Sequence, residues 1–531
     1  MPEELPERFN LAAHFLDEPA KRHPNRAAIA GEPDEVTYSE LTALANRVGN
    51  GLLELGVARG DRVLIVLPDS AEFIAAFFGA TKIGAVAVPV NSFARAADFI
   101  HYVQSSEPRA GIVHSDALPE FLPASAERAQ MPIILVGEET TDAGGVRCSR
   151  WSEWTSAASE RLDAADTSAH DMAFFLYTSG SGGSPKAAVH QHKDMLVTSR
   201  SFARGVLRLC ADDITFSVSK LFFAYGLGNG MYFPFSVGAR TVLNPERTKV
   251  ERVIEMVARH RPTVFFAVPT FYAALLRQAE GAPKRMDFSS VRQCVSAGET
   301  LPEEIFDQWR RRFGLEILDG IGSTEMLHMF LSARPGQCKP GSCGVPVPGC
   351  EAKIVDDAGK PVTEGEIGNL WVRGASAFAE YWRLPELTER TKRDAPGADN
   401  RDKWVVTGDK CARHSDGFYH YCGRADDMLK VAGMWVSPME VENALLGHPR
   451  VAEAAVVGCT DALGLTYPVA WVVVRGEGEP SPEARDGLAE EIRQHVRARL
   501  VSYKVPREVR FVAELPKTVT GKIQRFKLRG G

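Results

Sequence analysis

Tyr177-Thr178-Ser179-Gly180-Ser181-Gly182-Gly183-Ser184-Pro185-Lys186 follows directly on an apolar run at 173–176. A short, unbroken apolar run reads as a strand buried on both faces. The Gly and hydroxyl residues after it let backbone N–H groups and hydroxyls surround phosphate oxygens, and Lys186 adds positive charge. This is not a Walker loop, which needs Gly before the Lys and Ser or Thr after it. Here those positions hold Pro185 and Ala187. A flexible Gly/Ser turn is the plain alternative; the preceding strand and the Pro-Lys favour phosphate.

Outward from this loop the same pattern repeats. Leu41, Leu44, Ala45, Val48, Leu52 and Leu55 share one helical face, with Ser39 as the expected cap. Apolar strands are predicted at 63–67 and 85–90 around a helix at 70–82, then at 173–177, 263–268, 292–296 and 315–318. Each of the last four precedes a loop rich in Gly, Ser, Pro or Thr. Strand–helix–strand order with continuous apolar strands predicts an α/β body with parallel sheets, whose ligands sit at the carboxyl ends of strands. From 336 the chain turns rich in Pro and Gly, with short β pieces at 352–355 and 369–372, which predicts a β subdomain reaching about 423. A second change falls at Gly423-Arg424-Ala425-Asp426. The remainder predicts a small α+β domain with helices at 438–446 and 482–500 and strands at 454–457, 469–474 and 508–512. The expected layout is a large body, 1–423, and a small mobile lid, 424–531.

The 531 residues are 44% hydrophobic and 24% charged, an ordinary globular balance. A net charge of −6 excludes the broad basic surface of a non-specific nucleic-acid binder. No apolar run reaches the roughly 18 residues of a membrane span. The opening MPEELPERFNLAAHF does not read as a secretory signal, so the nine cysteines are expected to be reduced, in a cytoplasm. Cys338, Cys343 and Cys350 are read as part of a loop rather than a metal site, and His190 and His192 as solvated or capping residues. The ending Leu528-Arg529-Gly530-Gly531 is read as a frayed polar end.

Four further segments carry polar chemistry. In Asp319-Gly320-Ile321-Gly322-Ser323-Thr324-Glu325, small residues permit close approach to a flat ligand and Glu325 offers oxygen to Mg²⁺; a strand-to-helix turn capped by Ser323 or Thr324 explains it equally well. Thr407-Gly408-Asp409 offers a carboxylate for two sugar hydroxyls, or a turn Asp. Gly423-Arg424-Ala425-Asp426-Asp427 marks the domain junction, or a surface salt bridge. Pro516-Lys517-Thr518-Val519-Thr520-Gly521-Lys522-Ile523 puts a Lys after a Gly near the chain end, where a solvated Lys is the plain reading.

In this order and with these gaps, the five segments resemble the adenylate-forming superfamily of acyl-CoA synthetases, peptide-synthetase adenylation domains and luciferases, over about residues 10 to 525. Lys220-Leu221-Phe222-Phe223-Ala224-Tyr225-Gly226-Leu227-Gly228-Asn229-Gly230, with Ser323-Thr324-Glu325-Met326-Leu327-His328, resembles the benzoate–CoA ligase branch. Two positions depart from the family: Gly182 stands where Thr is usual, and Ala187 where Gly is usual.

The resemblance implies ATP, Mg²⁺ and CoA as cofactors or co-substrates, and a small aromatic carboxylate as substrate. Lys522 would bridge carboxylate and phosphate, with Thr178 and Glu325 beside it and Glu325 placing the metal. ATP would be held by Thr178, Ser179, Gly180, Ser181, Gly182, Gly183 and Lys186. Adenine would lie against the strips Gly298, Glu299, Thr300 and Asp319, Gly320, Ile321, with Gly322, Ser323 and Thr324 also binding the nucleotide; Asp409 would hold the ribose hydroxyls, assisted by Arg424. Phe223, Ala224, Tyr225, Gly226, Ile321, Leu327 and His328 would enclose the ring, with His328 near the pocket floor or the ring edge. Asp426 would be the hinge of a domain swing, and Lys430 and Gly433 would face the CoA arm. A stand-alone enzyme loading a carrier protein in trans is the rival reading, and a homodimer is allowed.

Overall fold

A computed structural model describes residues 5–30, 35–128, 130–137, 148–178, 184–281, 286–394, 403–431, 434–461, 465–476, 480–517 and 523–529. Among these, one sheet has seven strands, in the order Cys148–Arg150, Ile133–Val136, Ala110–His114, Arg62–Val66, Val86–Pro89, Met172–Thr178 and Lys186–Gln191. It is parallel up to Met172–Thr178, which pairs antiparallel with Lys186–Gln191. The Gly/Ser segment therefore joins two strands of a hairpin, not a strand to a helix. The second strand was hidden because Lys186-Ala187-Ala188-Val189-His190-Gln191 is apolar only in its middle.

The second large sheet has nine strands, and its core runs Ile317–Gly322, Gln293–Ser296, Val264–Ala267, Ile214–Ser217, Arg240–Val242 and Ala27–Ala30, all parallel. Helices Tyr38–Glu54 and Ala71–Lys82 pack on one another, with Leu41, Ala45, Val48 and Leu52 fully buried. The first begins one residue before the expected cap. Thr37 accepts the Glu40 N–H while Glu40 accepts the Thr37 N–H, and this reciprocal box outcompetes Ser39.

Cys350–Val355, Gly368–Gly374, Trp404–Arg413 and Tyr419–Arg424 form an antiparallel sheet with its own core around Leu370, Val372, Phe378 and Cys411. Beyond Arg424, a sheet of Val451–Thr460, Thr466–Val474 and Glu508–Phe511 packs with helices Pro438–Leu446 and Pro482–Arg497. The ion pair Arg277–Glu453 (3.6 Å) links it to the body helix Pro269–Gly281. The chain end departs from expectation. Leu528 is buried, and Arg529 donates to the Asp426 carbonyl (3.1 Å) and pairs with Asp427, so these two dock instead of fraying, while Gly530 and Gly531 lie outside the described residues. No helix among the described residues is long and apolar enough to cross a membrane.

Candidate active site

The hairpin sets Thr178 directly opposite Lys186 at its open end. Ser179, Gly180, Ser181, Gly182 and Gly183 lie outside the described residues. A segment at 375–382 runs along the outer strand. Ala379 N–H donates to Val189 O (2.8 Å), Val189 N–H to Glu380 O (2.9 Å), and Trp382 N–H to Ala187 O (2.9 Å). The same segment reaches the Ser323-Thr324-Glu325 turn, where Phe378 N–H donates to Glu325 O (2.7 Å) and the Tyr381 hydroxyl to Glu325 Oε1 (2.6 Å).

His190 ties the hairpin to that turn from within the core. Its Nε2 meets Thr324 O at 2.8 Å and its Nδ1 meets Asp194 Oδ2 at 2.9 Å. Both ring nitrogens are thus taken up by protein oxygens. His190 and His192 are fully buried, which corrects the solvated reading. Burial alone would raise the Asp194 carboxyl, but the Lys193 ammonium at 2.9 Å and His190 outweigh it and hold it below its ordinary value. Cys343 is buried too, with its thiol on Tyr419 O at 3.2 Å. Among the described residues no group of three or more His, Cys, Asp or Glu is arranged to hold a metal ion.

Asp319, Gly320, Ile321 and Gly322 are strand, not loop. Ile317–Gly322 pairs in parallel with Gln293–Ser296 through Asp319, then antiparallel with Met329–Ser332 from Gly320 onward. A Cβ on Gly320 would lie 2.4 Å from Leu331 O, so the hairpin itself requires this glycine. Ser323 Oγ accepts the Met326 N–H (3.3 Å), and only a single 3₁₀ turn, Thr324–Met326, follows. Leu327, at φ 66°, then turns the chain back into the return strand. The expected strand-to-helix turn is thus a strand-to-strand turn presenting Glu325.

Asp319 is buried, with Oδ2 accepting the Leu301 N–H at 3.3 Å. Its Oδ1 and the hydroxyl of its cross-strand neighbour Ser296 make no sound hydrogen bond among the described residues. Burial pushes the Asp319 carboxyl up to about 8, against the pull of the Leu301 N–H. A carboxyl raised on folding stabilises the fold fully below its unfolded value near 3.8, and that contribution is lost as pH rises toward about 8. Asp319→Asn should therefore flatten the fall in thermal midpoint between pH 5 and 8, removing a slope of up to ~1.4 kcal/mol per pH unit. Parallel midpoint-against-pH curves for the two proteins would refute this.

The aromatic segment splits into a wall and a backing. Phe223, Ala224 and Tyr225 are half-buried against the body core and Ile321 against that of the β subdomain, while Gly226, Leu327 and His328 are buried. Tyr225 is anchored by its hydroxyl on Val295 O (3.3 Å), and its ring stacks on His328 at 5.5 Å. Phe202 (5.0 Å) and Phe233 (4.5 Å) close around the imidazole, whose Nε2 meets Asn229 Oδ1 at 3.2 Å. His328 therefore supports the wall. Burial lowers it to about 3, which keeps it neutral. A Cβ on Gly228 would come within 2.7 Å of His328, so this glycine makes room for the ring. Asn229, Phe202, Phe233 and Tyr381 were not anticipated; no local pattern marks residues that act through a distant partner. The pair Lys220–Asp69 (3.6 Å) holds the start of this segment, with Asp69 also accepting the Leu221 N–H at 2.9 Å.

Asp409 and Arg424 are cross-strand partners joined at 3.0 Å, with the carboxylate buried. Burial pushes the Asp409 carboxyl up and Arg424 opposes it; the Glu325 charge acts on both. Gly298 takes φ 94°, just beyond Gln293–Ser296, with Glu299 after it. Asp426 is exposed, one residue past the Ala425 N–H bond to Gly408 O (2.9 Å). Lys430 is exposed on Leu429–Val431. Gly433 and Lys522 lie outside the described residues.

A cation-bearing hairpin, an acidic turn and a half-buried aromatic wall together suit a nucleotide beside a flat apolar ligand. Residues 16–382 match the AMP-binding enzyme family, and residues 440–522 match the AMP-binding enzyme C-terminal domain. The chain belongs to this family of adenylate-forming enzymes. It is 40% identical over 528 residues to a benzoate–CoA ligase of Thauera aromatica, covering 99% of this chain and 96% of that one. It is 36% identical to an anthranilate–CoA ligase of Pseudomonas aeruginosa, covering 88% and 87%. The crystal structure of an anthranilate CoA ligase with anthranoyl-AMP superposes with a TM-score of 0.92 at 39% identity, covering 99% of this chain and 97% of that one. That of a benzoate CoA ligase from Burkholderia xenovorans LB400 gives 0.88 at 40%, covering 98% and 100%.

Proposed function

We propose that the chain is an AMP-forming aryl–CoA ligase acting on benzoate or a small substituted benzoate such as 2-aminobenzoate. The observation that carries this reading is the half-buried wall of Phe223, Ala224 and Tyr225, backed by His328, which follows the turn that presents Glu325. A flat ring fits such a wall, and burying it contributes roughly 25 cal/mol per Å².

The acid's carboxylate oxygen attacks the α-phosphorus of ATP and pyrophosphate leaves. The CoA thiolate then attacks the acyl carbon of the adenylate, and AMP leaves with the electrons of the broken C–O bond. Thr178, Lys186 and the Gly/Ser segment between them hold the phosphates. The orphaned Asp319 Oδ1 suits the exocyclic amine of adenine, and Asp409 with Arg424 suits the ribose hydroxyls. Glu325 fits a hard divalent cation: Tyr381 occupies Oε1, and Oε2 has no hydrogen-bond partner among the described residues. When bound there, Mg²⁺ supplies neutralisation of phosphate charge. Lys522 brings the charge that lets carboxylate and phosphate approach. A swing of residues 424–531 about Asp426 then replaces Lys522 with the CoA arm, along Lys430 and Gly433. Nine free cysteines suit a cytoplasmic setting.

Incubation with ATP, Mg²⁺, benzoate and CoA should yield AMP, pyrophosphate and benzoyl-CoA, with decanoate rejected. Release of ADP and phosphate, or equal use of decanoate, would refute the reading.

A further inference from the structure

Tyr381 touches both charged groups of the nucleotide site. Its hydroxyl donates to Glu325 Oε1 at 2.6 Å, and the Lys186 ammonium lies 5.9 Å from the centre of its ring. Lys186 and Glu325 form no ion pair with each other among the described residues. The backbone places the ring there. Tyr381 forms an isolated antiparallel bridge with Ala188, two residues past Lys186, and the neighbouring Phe378 N–H holds the Glu325 carbonyl. The Lys392 ammonium ties down the same segment through Phe378 O (2.7 Å) and Ala379 O (3.1 Å). A lysine and a carboxylate with nothing between them would tend to neutralise each other before ATP arrives. An aromatic face accepts the cation at modest strength, and a phenol takes one lone pair of the carboxylate while leaving the other oxygen open.

We propose that Tyr381 is a positioning residue of the nucleotide site: its ring seats Lys186 and its hydroxyl fixes Glu325, so both charges stay available to phosphate and divalent cation. This rests on the aryl–CoA ligase reading above. A tyrosine that merely fills the core beside Phe378, 4.7 Å away, is the competing account, and it makes different demands. It requires the volume of the ring but not the hydroxyl.

Tyr381→Phe separates the two. Mn²⁺ binding is followed by electron paramagnetic resonance on the full chain saturated with α,β-methylene-ATP. The variant should hold Mn²⁺ about tenfold more weakly, the order expected for losing a hydrogen bond to a charged group. Its metal-free affinity for the analogue, its thermal midpoint and its rate of converting benzoyl-AMP and CoA to benzoyl-CoA should stay close to wild type. Wild-type Mn²⁺ affinity in the variant would overturn the proposal, as would an equal loss in metal-free analogue binding and in the thioester step. Wild-type protein that bound neither analogue nor Mn²⁺ would overturn the nucleotide reading itself, and this proposal with it.

Discussion

Lys522→Ala is expected to slow acid-dependent pyrophosphate exchange by about 10²–10³ while leaving the conversion of benzoyl-AMP and CoA to benzoyl-CoA largely intact. The first step forces a carboxylate against a triphosphate, and one preorganised cation at the point of approach contributes about that factor. The described residues that flank 518–522 are anchored. Lys517 and Ile523 form an antiparallel bridge, and Gln524 N–H donates to Pro516 O at 2.8 Å. Arg525 forms a buried pair with Glu442 at 2.7 Å, and that carboxylate also accepts the Val456 N–H (2.7 Å). Lys517 pairs with Glu453, which also meets Arg277 of the body. The mirror experiment is Gly433→Trp, which should preserve exchange and block the thioester step by filling the path of the CoA arm. Equal losses in both half-reactions for either variant would contradict an exchange of these two loops about Asp426.

The strands of the body were legible because parallel strands buried on both faces appear as unbroken apolar runs, as at 63–67 and 263–268. Strands with one wet or functional face were not. Lys186–Gln191 carries Lys186, His190 and Gln191 among three apolar residues, and two of the last three residues of Ile317–Gly322 are glycine. Lys186–Gln191 was therefore not expected as a strand, and 319–322 was read as the loop after one. The side chains expected at the site were chosen by their chemistry: Thr178, Lys186, Glu325, Asp409 and Arg424 share features of charge or hydroxyl that a phosphate or sugar needs. Their supports were invisible for a physical reason. Tyr381, His190 and Asn229 act through partners 56, 134 and 99 residues away, and no periodicity encodes such a distance. His190 carried a misleading signal, since a His-Gln-His run beside a Gly-rich segment suggests exposure while the fold encloses both rings.

His328→Ala should change which rings the protein accepts more than how fast it activates benzoate. The imidazole sits behind Tyr225 in a box with Phe202 and Phe233, and only 3% of the residue is exposed. Its removal opens space into which Tyr225 can retreat. Para-substituted benzoates should then gain at least tenfold in kcat/KM relative to benzoate, a shift of about 1.4 kcal/mol. The cavity should also destabilise the fold by roughly 2–4 kcal/mol, seen as a lower thermal midpoint, since close-packed surroundings relax only partly around a lost ring. Asn229 Oδ1 loses its partner as well, which adds to that cost. Because burial holds His328 near 3, the imidazole is neutral throughout ordinary assay conditions, and the substrate ranking of wild type should not move between pH 6 and 8. A ranking that shifted in that window would mean that charge, not volume, sets the choice. His328→Phe restores ring volume without the hydrogen bond and should keep the wild-type ranking. If His328→Ala left the ranking where it was, the wall formed by Tyr225 would not be what limits the length of the ring.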